Sequence, residues 1–438
     1  MITLVSFGLS TSVSLALRAV TLPLMSWLVA PELLAQFALW QLALGFGVLL
    51  AGQGLGHALV RDFHELSVPE QQQLLAQLFI VALVLGGLIA VVMFALTAPM
   101  VSIFSGFSPP SAIWFMLPIL MIMQWGTSFL RLSQLARAFA LMQIGGRVVW
   151  LLLLLAMWWF SNGQGLRSAQ QLLTLWFVAE LLNTAVLLWL IRTQLSQAFA
   201  LRRDWFAAVW RQRFGAMLTY ARPLLLSEGL YWAMGALGAV LLTAWHGLSS
   251  MAIYAMAVAV GSVGSMAGQV FNTVWLPEVY KSYQSSGELP WLPRRALQLT
   301  LLALCFVVVA ALASVVLWWV LPASYEQVPY LVAATALKPI LMALQRVSAI
   351  GIELRRVTWV SPLAMVSGLA LQLFFAWWLI PVYAAAGAIV SLLLGALVFW
   401  TVKTVMASIL WQPIGASKII SLVWFAAGLA CFVALSSV

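Results

Sequence analysis

The sequence predicts an all-α polytopic membrane protein: two pseudo-symmetric six-helix lobes with a central cavity, followed by one more apolar segment. Three observations predict it: continuous apolar runs long enough to cross a bilayer, basic residues gathered on alternate connections, and a basic connection at mid-chain. Hydrophobic residues fill 64% of the 438 positions and charged residues 7%, with a mean hydropathy of +1.05. A water-soluble globule could not cover itself with so few polar groups, so the solvent is lipid. The apolar runs do not alternate, which excludes a closed β-barrel.

A helix crosses the hydrocarbon in about 20 apolar residues. On that criterion, spans are expected at 2–29, 34–60, 74–98, 112–135, 138–160, 171–192, 215–244, 251–277, 296–320, 328–352, 358–380, 385–406 and 419–437. The first twelve form the core. The last is read as a thirteenth span, an interfacial helix being the alternative. Fifteen of the 21 Lys and Arg then fall on one side, among them Arg61, Arg131, Arg202, Arg203, Lys281, Lys403 and Lys418, while the other side holds only Arg167. The positive-inside rule puts that basic side and the N-terminus in the cytoplasm. The net charge of +10 follows from this topology and from anionic headgroups, and does not call for nucleic acid. Trp158-Trp159, Trp318-Trp319 and Trp377-Trp378 fall at the expected outer ends, where indole rings prefer to sit. No cleavable signal peptide is expected, because the first run is too long and contains Arg18.

The lobes are expected at 1–200 and 215–406, joined by a basic cytoplasmic linker at 201–214, with the extra segment at 407–438. A weak internal repeat supports the division. "AQFALWQLALGFG" from Ala35 lies over "AIYAMAVAVGSVG" from Ala252, and Ala51-Gly52-Gln53 recurs as Ala267-Gly268-Gln269. A duplicated six-helix unit with its site between the halves is a common transporter plan.

Charges at membrane depth cost several kcal/mol unless they face water, a partner or the bundle interior, so each is a candidate. Arg18 shares a helical face with Thr11, Ser14 and Thr21, which suits either a wet cavity or a seam of carbonyls. Lys338 and Gln345 share another face, with Arg346 adjacent and Pro339 expected to loosen the helix. Arg147 and Arg222 lie in the inner halves of their spans and either line a cavity or snorkel. Glu180 with Asn183, and Glu228 with Tyr231, are the acids well inside spans. Each carboxylate is a candidate for proton or sodium coupling, or a counter-ion for an intramembrane arginine. Gln53 with His57, and Ser262, Ser265, Gln269 and Asn272, form further polar stripes that line a cavity or tie helices together. Cys305 and Cys431 read as small buried hydrophobes. No phosphate-binding glycine loop, metal-ligand pairing or serine elbow is present, and no metal or organic cofactor is expected.

The chain resembles the polysaccharide flippases, of Wzx type, within the multidrug/oligosaccharidyl-lipid/polysaccharide exporter superfamily. The resemblance lies in "LVAPELLAQFALWQ" at 28–41, "GLGHALVRDF" at 54–63, "LRLSQLARAFALMQIGGRVV" at 130–149, "MAIYAMAVAVGS" at 251–262 with "VWLPEVYK" at 274–281, "SYEQVPYLVAATAL" at 324–337, and "LIPVYAAAGAIVSLLLG" at 379–395. It implies alternating access and transport of an oligosaccharide on undecaprenyl diphosphate across the bacterial inner membrane, for O-antigen, capsule or exopolysaccharide synthesis. The partners it implies are membrane lipids, the polysaccharide polymerase and the chain-length machinery. Arg18, Arg147, Arg222, Lys338 and Arg346 would meet the diphosphate. The alternative within the superfamily is a cation-coupled drug exporter. It is disfavoured at this stage because five buried bases against two acids should repel cationic drugs. A membrane-embedded enzyme is a poorer match, since the expected outer connections at 99–111 and 161–170 carry no cluster of acids or His.

Overall fold

The computed structural model of the chain describes residues 10, 13–14, 16–17, 20–21, 23–52, 55–56, 59, 63, 66–103, 109–160, 168–200, 208–265, 268, 275, 279, 282–283, 289–355, 357, 359–411 and 416–437. Its main helices are α1 (Pro31–Gly52), α2 (Val68–Ile103), α3 (Met116–Leu132), α4 (Ala136–Phe160), α5 (Ala169–Leu190), α6 (Arg192–Ala200), α7 (Ala208–Gly261), α8 (Leu292–Ala313), α9 (Leu317–Val320), α10 (Val328–Ser348), α11 (Ile350–Leu354), α12 (Val360–Leu410) and α13 (Ala416–Leu435). Among the described residues, 10 helical segments are long and apolar enough to cross a membrane. The chain is a multi-pass helical membrane protein.

Two of those segments are double. α7 turns at Gly247, with φ 75° and ψ −169°, a conformation that glycine adopts at little cost. α12 turns at Ala384, with φ 44° and ψ −118°. Both turns fall between spans expected to be separate, 215–244 from 251–277 and 358–380 from 385–406. The first span, 2–29, lies largely outside the described residues up to position 22. Part of the expected linker 201–214 also lies outside them, but its flanks are helical: α6 precedes it, and α7 begins at Ala208. α6 is tied to α2 by Gln72 Nε2 donating to Gln197 Oε1 at 2.8 Å.

The chain divides into two compact units, one of Met1–Leu17 and Gln36–Gly229, the other of Arg18–Ala35 and Leu230–Val438. In the first, α2 packs on α3 and α6, α4 on α5, and α5 on α3. Its core includes Leu75, Leu78, Met121, Trp125, Phe129 and Leu187, all buried. α3 ends in a left-handed residue, Gln134 at φ 58°. There Leu135 N–H donates back to Leu130 O at 2.9 Å and Gln134 N–H to Arg131 O at 3.1 Å, so α4 reverses at once. α5 starts with a capping box: Ser168 Oγ accepts from Gln171 N at 3.2 Å and the Gln171 side chain accepts from Ser168 N at 3.3 Å.

In the second unit α10 is the central helix, packed by α8, α12 and α13 and by the short turn Ser262–Gly264. Glycine is required at that approach, since a Cβ on Gly264 would lie 2.6 Å from Ala336 O. α10 runs unbroken through Pro339, so the expected loosening beside Lys338 does not interrupt the helix. The two halves of α12 also meet through small residues: a Cβ on Gly368 would sit 2.6 Å from Gly395 O. α13 packs on α8, α10 and α12, which makes the extra segment part of this unit. Leu83, Leu88 and Val91 on α2 and Leu302, Val309 and Leu312 on α8 stay exposed, as a lipid-facing surface should. Trp158, Trp159, Trp318, Trp319, Trp377 and Trp378 are exposed as well.

Candidate functional site

The first unit contains a cavity of about 290 Å³ between residues of α1, α3, α4 and α5. Its charged groups are Arg147 from α4 and Glu180 from α5, and Asn183 lies one turn beyond Glu180. Three sequence candidates therefore meet on one space. Local sequence explains how. Gln143, Arg147 and Trp150 recur at four and three on α4, and Trp176, Glu180 and Asn183 at four and three on α5, so each set faces one way. Gly146 lets the two helices close up: a Cβ there would meet Asn183 Nδ2 at 3.1 Å.

Trp176 Nε1 donates to Glu180 Oε1 at 3.2 Å. The Arg147 guanidinium is near enough for its charge to act on Glu180. Among the described residues the two form no hydrogen bond with each other. Arg147 is exposed to the space and Glu180 is half-buried. The aromatic wall is ordered by ring contacts: Phe37 stacks on Trp150 at 5.7 Å and 9°, and meets Trp176 edge-on at 4.8 Å. Gln41, Gln124 and Gln143 complete the polar lining. The sequence reading missed these glutamines and the three rings. The spacing of Gln143 and Trp150 from Arg147, and of Trp176 from Glu180, is the signal that could have found three of the six.

The remaining candidates are elsewhere. In the second unit, Lys338 is half-buried with its ammonium 5.6 Å from the centroid of the Tyr231 ring. Gln345 Oε1 accepts from Lys403 Nζ at 3.0 Å. Lys403, grouped by the sequence reading with the headgroup-facing bases, is only 7% exposed and lies inside α12, 5.5 Å from the Phe399 centroid. Beside it Ser348 and Thr404, both buried, share a hydrogen bond of 2.7 Å. Arg346 is half-buried on α10, as are Glu228 on α7 and Ser265 just past the Ser262–Gly264 turn. Ser14 and Thr21 are buried. Arg222 lies in α7, and its side chain is outside the described residues, as are Arg18, Gln53, Gln269 and Asn272 altogether. The expected five-base cluster is thus represented by Arg147 in one unit and by Lys338 and Arg346 in the other. Among the described residues no group of three His, Cys, Asp or Glu could hold a metal.

No protein-family model and no curated protein matches the sequence. Solved structures do match. An outward-facing multidrug resistance MATE family transporter of the MOP superfamily superposes with a TM-score of 0.53 at 16% identity, over 96% of each chain. A MOP superfamily transporter from Pyrococcus furiosus, described as having a binding pocket of reversed polarity that suggests a different function, gives 0.53 at 17%, over 95% of this chain and 96% of its own. This chain has the MATE transporter fold. A eukaryotic MATE transporter gives 0.50 at 13% identity, over 96% of this chain and 98% of its own. The likeness covers nearly the full length, and the C-terminal segment that the sequence reading took as a thirteenth span is the helix α13.

Proposed function

We propose that the chain is a transporter that exports a small organic molecule by alternating access, using the cavity of the first unit as a substrate site. The observation that carries this reading is the cavity itself. At about 290 Å³ it lies at the small end of ligand pockets, and its mix of aromatic rings, amides and one charge of each sign is the usual lining for a small amphipathic ligand. A lipid-linked oligosaccharide is far larger than this space. The electrostatic objection to an exporter also weakens, because Arg147 shares its cavity with an acid while Lys338 and Arg346 belong to the other unit. The fold neighbours described as multidrug transporters favour the same reading.

Coupling to a proton or a sodium ion belongs to this proposal, with Glu180 as the carboxylate in the cavity. A carboxyl that alternates between wetter and drier surroundings changes its proton or cation occupancy, which is what antiport requires.

A second reading, the flippase of a lipid-linked anionic headgroup, keeps one specific support. Lys338 presents an ammonium over a tyrosine ring at membrane depth, and an anion would add the counter-charge. Reconstitution in liposomes separates the two. We expect gradient-driven movement of small aromatic organic solutes and no protection of the sugar on a lipid-linked oligosaccharide. Sugar protection without solute movement would reverse the assignment.

A further inference from the structure

We infer that the cavity of the first unit selects a small zwitterion carrying a planar aromatic group, rather than a simple cation or anion. This deepens the exporter reading and rests on it for the cavity's being a substrate site. The argument begins with the two charges. Were Arg147 and Glu180 a structural ion pair, their groups would be bridged at hydrogen-bond distance, since a buried pair is stable only with close, well-formed contacts. Instead the hydrogen bond of the carboxylate goes to Trp176 Nε1, and the guanidinium is exposed to the cavity. Among the described residues neither charge is bridged to the other, yet each acts on the other and both line the cavity. A positive and a negative pole therefore look into one small volume.

The consequence for a ligand is direct. A monovalent cation gains from Glu180 and loses to Arg147; a monovalent anion does the reverse. A ligand with both charges puts its carboxylate on the guanidinium fork and its ammonium on Glu180, and each group replaces lost hydration with an opposite charge. The rest of the wall sets the body of the ligand. Phe37, Trp150 and Trp176 form a stacked and edge-on cluster against which a planar ring packs favourably. Asn183 supplies amide hydrogen bonding beside Glu180.

Three probes that share an indole ring test this: L-tryptophan as the zwitterion, tryptamine as the cation and indole-3-propionate as the anion, each radiolabelled and bound to the full chain in nanodiscs at neutral pH. L-tryptophan is expected to bind at least about tenfold tighter than either single-charge probe, since one unmatched charge removes roughly one decade or more of affinity. Glu180→Gln should move the preference to indole-3-propionate, and Arg147→Met should move it to tryptamine. Opposite shifts in two variants that each still bind a probe cannot come from misfolding. Equal binding of all three probes, no binding of any, or tightest binding of tryptamine with Arg147→Met unchanged would each overturn the inference. The expected preferences without gradient-driven movement in proteoliposomes would instead sink the exporter reading and leave the zwitterion site standing.

Discussion

In the first unit Arg147 and Glu180 border open space, and the carboxylate is held by an indole. In the second, Lys403 is packed at 7% exposure with its ammonium on the Gln345 amide. Both arrangements put charge at membrane depth, and in the first that charge lines a cavity. The difference teaches that an intramembrane charge can border open space or be taken up by its neighbours: the Lys403 ammonium donates to the half-buried Gln345 amide and lies 5.5 Å from the centroid of the Phe399 ring. Small residues repeat the contrast. Gly146 permits the approach of the two helices that wall the cavity, whereas Gly264 and Gly368 close contacts that leave no room at all.

The largest effect should come from overfilling the second unit. Gly368→Leu forces a side chain into the Gly395 carbonyl 2.6 Å away and should cost at least about 3 kcal/mol, removing most of the protein from the membrane. Gly87→Leu, on a position with nothing within 4 Å, should leave abundance unchanged; loss of both variants alike would break the contrast. Next in size, Glu180→Gln should abolish the dependence of transport on an imposed proton or sodium gradient, an effect of about tenfold or more, while abundance stays normal. Retained gradient dependence would remove Glu180 from coupling. Lys403→Met should cost about 1–3 kcal/mol in thermal unfolding, because it strands the Gln345 carbonyl, with transport per folded molecule unchanged. Transport lost at normal stability would make the second unit functional in the same sense as the first. Smallest is Tyr325→Phe. That hydroxyl is buried and has no hydrogen-bond partner among the described residues, so its removal should change stability by less than about 1 kcal/mol.

Much of the fold was legible because lipid imposes a simple rule, one long apolar helix per crossing. The reversals at Gly247 and Ala384 fall where the sequence interrupts its apolar runs, and the exposed tryptophan pairs lie where indoles were expected. The site was legible only in part. Arg147, Glu180 and Asn183 stand out one by one as polar groups in apolar sequence, but their meeting depends on α4 and α5 closing through Gly146, a contact between positions 37 residues apart in sequence. Lys403 was read only as one of the bases of the cytoplasmic side; its amide partner is 58 positions away and could not be read from the sequence. The electrostatic argument against an exporter added five bases together, whereas among the described ones Arg147 lies in one unit and Lys338 and Arg346 in the other.

The most direct test of the cavity as the substrate site is thiol accessibility in a chain freed of Cys305 and Cys431 by alanine substitution. Gln143→Cys, on the cavity wall, should react with a small polar maleimide in proteoliposomes and be protected by a transported substrate. Leu344→Cys, fully buried in α10, should not react under the same conditions. An inert Gln143→Cys, or one that reacts equally with and without substrate, would contradict the account.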